Sequence, residues 1–227
     1  MTGEVRVLLE LRGVSRRYGE RLALSPIDLR VDAGSCLALL GPNGSGKSTL
    51  LRITAGRDMP TSGQVRLEGA VLDEDDPAVR AKVAVVADAG AFYPDLTVRE
   101  HLELVARAHG VGEEATALVE QALSTMRLGG HVDALPATLS SGQQQALQLA
   151  AALVRPRRLM VLDEPEQRLD PDARKRLADL LVHERAHGRA IVLATHHVDL
   201  AASVADEVVL LDEGEVVRRG RPREVLA

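Results

Sequence analysis

A glycine-rich loop, GPNGSGKST, joins an apolar segment at residues 36–40 to an amphipathic segment that begins at Lys47. The loop fits the pattern G-x-x-x-x-G-K-[ST] with Gly41, Gly46, Lys47 and Ser48. A loop of this kind needs a strand before it and a helix after it, and the two flanking segments predict both. The chain is therefore predicted to be an α/β protein whose sheet presents this loop at the end of a strand.

The residue types of the loop suit a phosphate chain. Glycines let backbone N–H groups close around phosphate oxygens. The ammonium group of Lys47 is expected to reach the terminal phosphates and to act in catalysis, and the hydroxyl of Ser48 is expected to bind Mg²⁺. The residues predicted to contact the nucleotide are Gly41, Pro42, Asn43, Gly44, Ser45, Gly46, Lys47, Ser48 and Thr49.

Apolar, strand-like segments alternate with helical patterns along the rest of the chain. Two helices carry capping signals at their starts, namely Thr97 with Glu100, and Asp170 followed by Pro171. The alternation predicts a largely parallel sheet, interrupted by an all-helical insert at about 95–138. Strands are predicted at 5–12, 27–31, 35–40, 64–68, 83–87, 159–162, 190–194 and 208–211, and helices at 47–55, 97–110, 113–126 and 170–187.

A pair of carboxylates follows one of these strands, in LMVLDEPEQRLD at residues 159–170. The strand brings Asp163 to its carboxyl end, beside the phosphate loop, where Asp163 is expected to hold Mg²⁺ or one of its waters. Glu164 is then placed to polarise a water molecule against the terminal phosphate. The alternative for such a pair is a solvated turn.

The stretch LSSGQQQ at residues 139–145 predicts a second anion site. Ser140 or Ser141 can cap the helix that follows, and the free N–H groups and dipole of a helix start favour an anion. A complete phosphate-binding loop already lies about a hundred residues earlier in the chain. The second site therefore needs an explanation of its own.

Composition limits the partners of this 227-residue chain. Its net charge of −5 gives no general attraction for nucleic acid, and aromatic residues at 1% leave little surface for base stacking, so we expect no nucleic-acid partner. The single Cys36 excludes an internal disulfide and is expected to be a buried core thiol. Because no segment approaches the ~20 apolar residues of a membrane span and no signal peptide is apparent, the sequence predicts a soluble intracellular protein.

The phosphate loop, LSSGQ and LDEP occur in this order at spacings that resemble the nucleotide-binding subunit of an ATP-binding cassette (ABC) transporter. The resemblance covers essentially the whole chain. It implies a P-loop NTPase core with a largely parallel sheet and an N-terminal antiparallel β subdomain, at about 1–94 and 159–227, and an α-helical signature subdomain at about 95–158. It also implies a head-to-tail dimer in which each LSSGQ closes over the ATP held by the other chain. The residues implied to contact that ATP are Ser140, Ser141, Gly142 and Gln143.

Three further positions match the family. Tyr18 corresponds to the aromatic residue that stacks on adenine, and His196 to the histidine that contacts the terminal phosphate during catalysis. Asp170, in the retained Leu-Asp pair, is implied to lie at the nucleotide. The remaining histidines, apart from the adjacent His197, are expected at the surface, and the basic run at 155–158 is expected to be a solvated loop.

Two positions depart from the family. In VVADAGAFYPDLT, Asp88 stands where the family usually has a glutamine that contacts Mg²⁺ and the attacking water. No glutamine lies between Gln64 and Gln121, so a shifted alignment does not recover one. A carboxylate is still an oxygen ligand for Mg²⁺, and Asp88 is therefore predicted to bind the metal. Arg168 stands where the family usually has a small residue, and it is expected either to pair with a partner carboxylate or to hinder closure.

The resemblance implies an ATP-binding and ATP-hydrolysing motor subunit, with ATP and Mg²⁺ as cofactors. Its implied partners are a second cassette, as a homodimer or heterodimer, and integral membrane permease subunits at the inner face of the cell membrane. The segment FYPDLTVREHL and the missing long C-terminal extension favour an exporter-type cassette. Two alternatives stay open, namely a soluble ABC ATPase, for example in cluster assembly, and a regulatory cassette with weak hydrolysis.

The Asp88 assignment makes the first testable prediction. Asp88→Gln is expected to weaken the dependence of hydrolysis on Mg²⁺ and to raise basal turnover, because the amide binds the metal less strongly and carries no charge against the triphosphate. Asp88→Ala is expected to lower both metal affinity and rate. ATPase rates measured against free Mg²⁺ for the three proteins test this, and superimposable curves would show that Asp88 is not near the metal.

Overall fold

The chain folds into two β-sheets with helices packed on them, in a computed structural model that describes residues 7–73, 76–87 and 92–227. Asp88 lies outside the described residues. The strands are β1 Val7–Tyr18, β2 Arg21–Asp32, β3 Cys36–Leu40, β4 Ser62–Leu67, β5 Ala70–Val71, β6 Val83–Val86, β7 Leu159–Asp163, β8 Ala190–Ala194, β9 Glu207–Asp212 and β10 Glu215–Gly220. The helices are α1 Lys47–Thr54, α2 Pro77–Arg80, α3 Val98–Ala108, α4 Ala115–Thr125, α5 Ser141–Leu153, α6 Pro171–Ala186, α7 Val198–Val204 and α8 Pro222–Val225, with 3₁₀ turns at Gly129–His131 and Pro136–Thr138.

The first sheet is antiparallel, with the strand order β2-β1-β4-β5. Strands β1 and β2 form a hairpin whose last paired residues are Tyr18 and Arg21. Both strands extend beyond the predicted 5–12 and 27–31. The outer parts were not predicted because they expose polar side chains and lack the apolar pattern that marks a buried strand. The predicted N-terminal antiparallel sheet is confirmed.

The second sheet has the order β10-β9-β3-β8-β7-β6. Its pairs from β9 through β6 are parallel, and β10 joins β9 antiparallel. All five residues of β3 are buried, as expected for a strand between two neighbours and covered on both faces. Parallel pairing brings the carboxyl ends of β3, β7 and β8 to one edge of the sheet. The largely parallel sheet predicted from the sequence is confirmed.

One apolar cluster fills the space between the two sheets and includes α1 residues such as Leu50 and Ile53. The other face of the parallel sheet packs against α5, α6 and the helical insert, where Leu102 and Leu147 join Met160 and Leu162. The insert therefore shares its core with the sheet, and the predicted subdomain limits at 94 and 158 stay predictions. None of the described helices is long and apolar enough to cross a membrane.

Cys36 belongs to this core, as predicted. Burial raises the pKa of its thiol to about 12. The thiolate needed for reactivity is therefore absent at neutral pH, and Cys36 serves as a small apolar core residue.

The prediction of a solvated loop at 155–158 is wrong for Arg155 and Arg157, whereas Pro156 and Arg158 are exposed. The guanidinium of Arg157 makes a two-pronged ion pair with Glu184 on α6, at 2.7 and 2.8 Å, with 11% and 5% of the two side chains exposed. Burial, together with the nearby charge of Arg57, lowers the pKa of Arg155 to about 10. The ion pair with Glu184 across the fold accounts for the burial of Arg157, and the local sequence gives no sign of that partner.

His101 corrects a second prediction, that of surface histidines. It lies on α3 with 4% of its surface exposed, and its ring meets the edge of Phe92 at a centroid distance of 5.5 Å. Burial lowers the pKa of His101, which favours the neutral imidazole. This ring fills the space between the start of the insert and the segment that precedes it.

The buried Arg157–Glu184 pair makes a prediction about stability. Glu184→Gln is expected to lower the free energy of unfolding by about 3 kcal/mol, because it leaves the Arg157 guanidinium without its charged partner. The matched control is Glu103→Gln, whose exposed partner Arg107 lies 3.7 Å away one helical turn further on. That change is expected to stay under about 0.5 kcal/mol. Urea denaturation measures both, and equal losses would contradict the structural role of the buried pair.

Candidate functional site

The phosphate-binding loop follows β3 directly and folds around the side chain of Lys47. Only 5% of Lys47 is exposed, and its Nζ donates hydrogen bonds to the carbonyl oxygens of Gly41, at 2.7 Å, and Pro42, at 3.0 Å. Burial lowers the pKa of Lys47, while the nearby carboxylates of Glu164 and Asp163 raise it. The loop therefore holds an ammonium group at its centre, within reach of two acidic residues of another strand end.

Two glycines of this loop accept no replacement. Gly41 has a φ of 146°, and a Cβ there would lie 2.0 Å from the carbonyl oxygen of Leu211. Gly46 has a φ of 104°, and its Cβ would lie 2.6 Å from a methyl group of Leu24. Both contacts are far inside van der Waals distance, so the loop closes this tightly only with glycine at these positions.

Several hydrogen-bonding groups at this loop have no partner among the described residues. No side chain caps α1 at Gly46, so the N–H groups of its first turn, which includes Ser48 and Thr49, have no capping partner. The buried hydroxyl of Ser45 has no hydrogen-bond partner among the described residues. A helix start with free N–H groups beside a held lysine is a site that fits phosphate oxygens. The predicted nucleotide-contacting residues 41–49 are thus together in one cradle.

The two predicted catalytic side chains beyond the loop also meet. Glu164 follows β7, His196 follows β8, and their Oε1 and Nε2 atoms are 2.5 Å apart. The backbone N–H of Glu164 donates to the carbonyl oxygen of Ala194 at 2.9 Å, which fixes the two loops side by side. Glu164 has a φ of 47°, a strained conformation for a residue that is not glycine, and such strain is concentrated at functional sites.

The structure describes two of the three predicted metal ligands. Ser48 lies in the first turn of α1 and Asp163 ends β7, at the same edge of the sheet, whereas Asp88 lies outside the described residues. Within the described ranges, no group of three or more His, Cys, Asp or Glu side chains is arranged to hold a metal ion. A hydroxyl and a carboxylate at a phosphate site nevertheless fit the oxygen donors that Mg²⁺ takes while it keeps several waters.

The second predicted anion site lies at the start of α5, where Ser140 is the cap. The Ser140 and Gln143 side chains each accept a hydrogen bond from the other's backbone N–H, at 3.3 and 2.8 Å, and the Gln143 amide also contacts His131. Ser141 and Gly142 form the first turn. Among the described residues, no hydrogen bond joins this helix start to the chain's own phosphate loop. The structure therefore contains two separate helix starts suited to anions.

Arg168 lies against this helix start. A Cβ added to Gly142 would be 3.0 Å from the carbonyl oxygen of Arg168, so the two segments are in contact. Arg168 has a φ of 63°, which is unfavourable for a residue with a side chain. It lines a cavity of about 270 Å³ together with Ser140 and Asp170. Asp170 caps α6 by accepting a hydrogen bond from the N–H of Ala173 at 2.7 Å.

Tyr18 lies at the end of β1 and is partly exposed. Its hydroxyl donates to Asp58 and accepts from Arg52 at 3.1 Å. The guanidinium of Arg16 lies over one ring face, 4.4 Å from the ring centre, and Arg16 pairs with Asp58 at 2.6 Å. The ring is thus held in one orientation, which suits a stacking surface, and its contact with adenine stays a prediction.

Two buried polar residues of the site were not found from the sequence. Thr195, between β8 and His196, has no exposed surface, and its hydroxyl donates to Glu166, of which 2% is exposed. Burial raises the pKa of the Glu166 carboxyl. In the sequence, Glu166 resembles the exposed Gln167 beside it, because only packing between the two loops distinguishes them.

Comparisons with known proteins agree with this geometry. Residues 24–167 match the family model described as ABC transporter. A Nod factor export ATP-binding protein I from Burkholderia lata is 35% identical over 219 residues, which is 96% of this chain and 72% of the relative. A spermidine/putrescine import ATP-binding protein from Nitratidesulfovibrio vulgaris is 35% identical over 220 residues, covering 96% of this chain and 60% of the relative.

Solved structures give the same result. The ATP-binding subunit of an ABC transporter superposes with a TM-score of 0.88 at 32% identity, over 94% of this chain and 90% of that one. A dimeric ATP-binding cassette in a post-hydrolysis state, bound to ADP and phosphate, superposes with a TM-score of 0.86 at 28% identity, over 95% and 99% of the two chains.

Proposed function

Because this chain belongs to the ABC transporter family, as an ATP-binding subunit with ATPase activity, we propose that two cassettes pair head to tail around two ATP molecules and drive separately encoded transmembrane subunits. The observation that carries the proposal is the pair of separate anion sites. The phosphate loop follows β3, and the Ser140 helix start makes no hydrogen bond to it within the described parts of the chain. A second chain gives the second site a ligand. The likeness to a dimeric cassette supports this pairing.

Different residues of one chain contact the phosphates, the metal ion and the adenine of each nucleotide. The amide donors of the loop and the Lys47 ammonium hold the phosphates and stabilise the negative charge that grows on them during transfer. Ser48 and Asp163, with Asp88 as a third ligand, would hold Mg²⁺, which would further neutralise that charge. Tyr18 stacks on adenine, and Asp170 lies beside the nucleotide at the start of α6.

Hydrolysis needs an activated water, and the proposal assigns that step to the acidic loop. Glu164 accepts a proton from the water, and His196, already in contact with Glu164 at 2.5 Å, holds the carboxylate and the phosphate in line. The other chain then completes the contacts to the phosphates, through Ser140, Ser141, Gly142 and Gln143. Binding of ATP is therefore also the signal for pairing.

Export is the direction we favour, at the inner face of the cell membrane, with transmembrane permease subunits as partners and no nucleic acid. The segment FYPDLTVREHL supports export, and so do the relatives named Nod factor export ATP-binding protein I. An import ATP-binding relative matches at the same identity, so the choice rests chiefly on that segment.

A dimerisation assay tests the proposal. Glu164→Gln is expected to bind ATP without activating water, so that two chains accumulate around trapped nucleotide. Light scattering is expected to show a monomer without nucleotide and a dimer with ATP. Adding Ser140→Arg is expected to abolish that dimer, because a bulky cation then occupies the second anion site, while ATP binding to the isolated chain is unchanged.

The matched control adds the same side chain elsewhere on the helical insert. Thr116→Arg, at an exposed position of α4, is expected to leave the ATP-dependent dimer intact. If the Ser140→Arg protein still pairs on ATP, the assignment of LSSGQQQ to the partner's nucleotide is wrong.

A further inference from the structure

A buried acidic residue connects the two loops that carry the proposed catalytic side chains. Glu166 lies two residues after Glu164, with 2% of its surface exposed. Its Oε1 accepts a hydrogen bond from the hydroxyl of Thr195, the residue before His196. The same hydroxyl accepts from the backbone N–H of His197 at 2.9 Å. One hydrogen-bonded chain therefore runs from the histidine loop into the acidic loop.

The acidic loop is fixed from a second side as well. The buried amide of Gln145, on α5, donates to the carbonyl oxygen of Pro165 at 3.1 Å. Pro165 and Glu166 are adjacent, so this part of the loop is tied both to the Ser140 helix and to the end of β8. Backbone bonds within the loop, from Gln167 to Glu164 at 3.0 Å, complete the frame.

Glu166 is an unusual group to place there. Its Oε2 has no hydrogen-bond partner in the described part of the chain, and a carboxylate ion buried in that way is unfavourable. Burial raises its pKa, as does the nearby Glu164, while the Thr195 hydrogen bond and His197 lower it. The Thr195 hydroxyl is therefore the side-chain donor that holds this buried carboxyl in place.

We propose that Glu166 is a positioning residue for ATP hydrolysis, which sets the placement of Glu164 against His196 by holding Thr195 across the gap between their loops. This inference rests on the roles proposed above for Glu164 and His196. Glu166 itself does not reach the nucleotide. Its contribution is a fixed geometry at the water-activating carboxylate, where a displacement of about 1 Å is enough to cost 10²-fold in rate.

Steady-state ATPase kinetics on single variants test this. Thr195→Val and Glu166→Leu each remove the hydrogen bond while nearly keeping the side-chain volume. Each is expected to lower kcat about tenfold or more, with the KM for ATP unchanged within about twofold, because the phosphate cradle is untouched. Thr195→Ser keeps the hydroxyl and is expected to retain wild-type kcat, as is Glu166→Gln, whose amide oxygen still accepts from Thr195.

The double variant Thr195→Val with Glu166→Leu distinguishes one shared contact from two unrelated losses. Its kcat is expected to be no lower than that of the more impaired single variant, since both changes break the same bond. Wild-type kcat in a folded Thr195→Val protein, or losses that multiply in the double variant, would overturn the proposal. Glu184→Gln, a buried acid away from the site, is the control that is expected to lower the unfolding midpoint and leave kcat unchanged.

Failure of the proposed function has a different signature. If Glu164→Gln retains hydrolysis, the role given to Glu164 is wrong whatever the Thr195 and Glu166 variants show. If Glu164→Gln is inactive while Thr195→Val and Glu166→Leu are both fully active, the catalytic role of Glu164 stands and the positioning role of Glu166 is wrong.

Discussion

Parallel pairing of β3 with β8 and of β8 with β7 is the constraint on which the site depends. The three strands end at the same edge of the sheet, where residues with a proposed role lie. The phosphate loop follows β3, Asp163 and Glu164 lie at the end of β7, and His196 lies two residues beyond β8. These residues are far apart in sequence and have no local reason to meet. The strands are buried and apolar on both faces, and their parallel pairing aligns Leu39 with Ala194 and Ala194 with Asp163, which brings the three strand ends side by side.

Positive and negative side chains lie near one another at this edge of the sheet. The ammonium of Lys47 is held by two carbonyl oxygens of its own loop and lies near the carboxylates of Glu164 and Asp163. The protein's own contacts therefore hold the cation and the acids close together at the phosphate loop, an arrangement of charged groups that suits phosphate chemistry. The Thr195–Glu166 hydrogen bond adds rigidity to the acidic side of this arrangement.

Much of this was predictable from sequence because the signals are local. Glycines, a lysine and a hydroxyl at fixed spacing predict the phosphate loop, and the capping residues Thr97, Ser140 and Asp170 all cap in the structure. Burial of charged groups was not predictable, since it depends on a partner elsewhere in the fold. Arg157 is buried because Glu184 on α6 meets it, and no pattern around residue 157 announces that partner.

The central claim is that one active site is built from two chains, and complementation between two inactive proteins measures it directly. Lys47→Ala is expected to lose nearly all hydrolysis through its own cradle, and Ser140→Arg through the site it offers to a partner. Mixed in equal amounts, they form some dimers in which one site has an intact Lys47 from one chain and an intact Ser140 from the other. The mixture is therefore expected to recover ATPase activity, up to the limit of roughly a quarter of the wild-type rate that fully random pairing would give. A mixture no more active than its two components measured separately would contradict a site shared between chains.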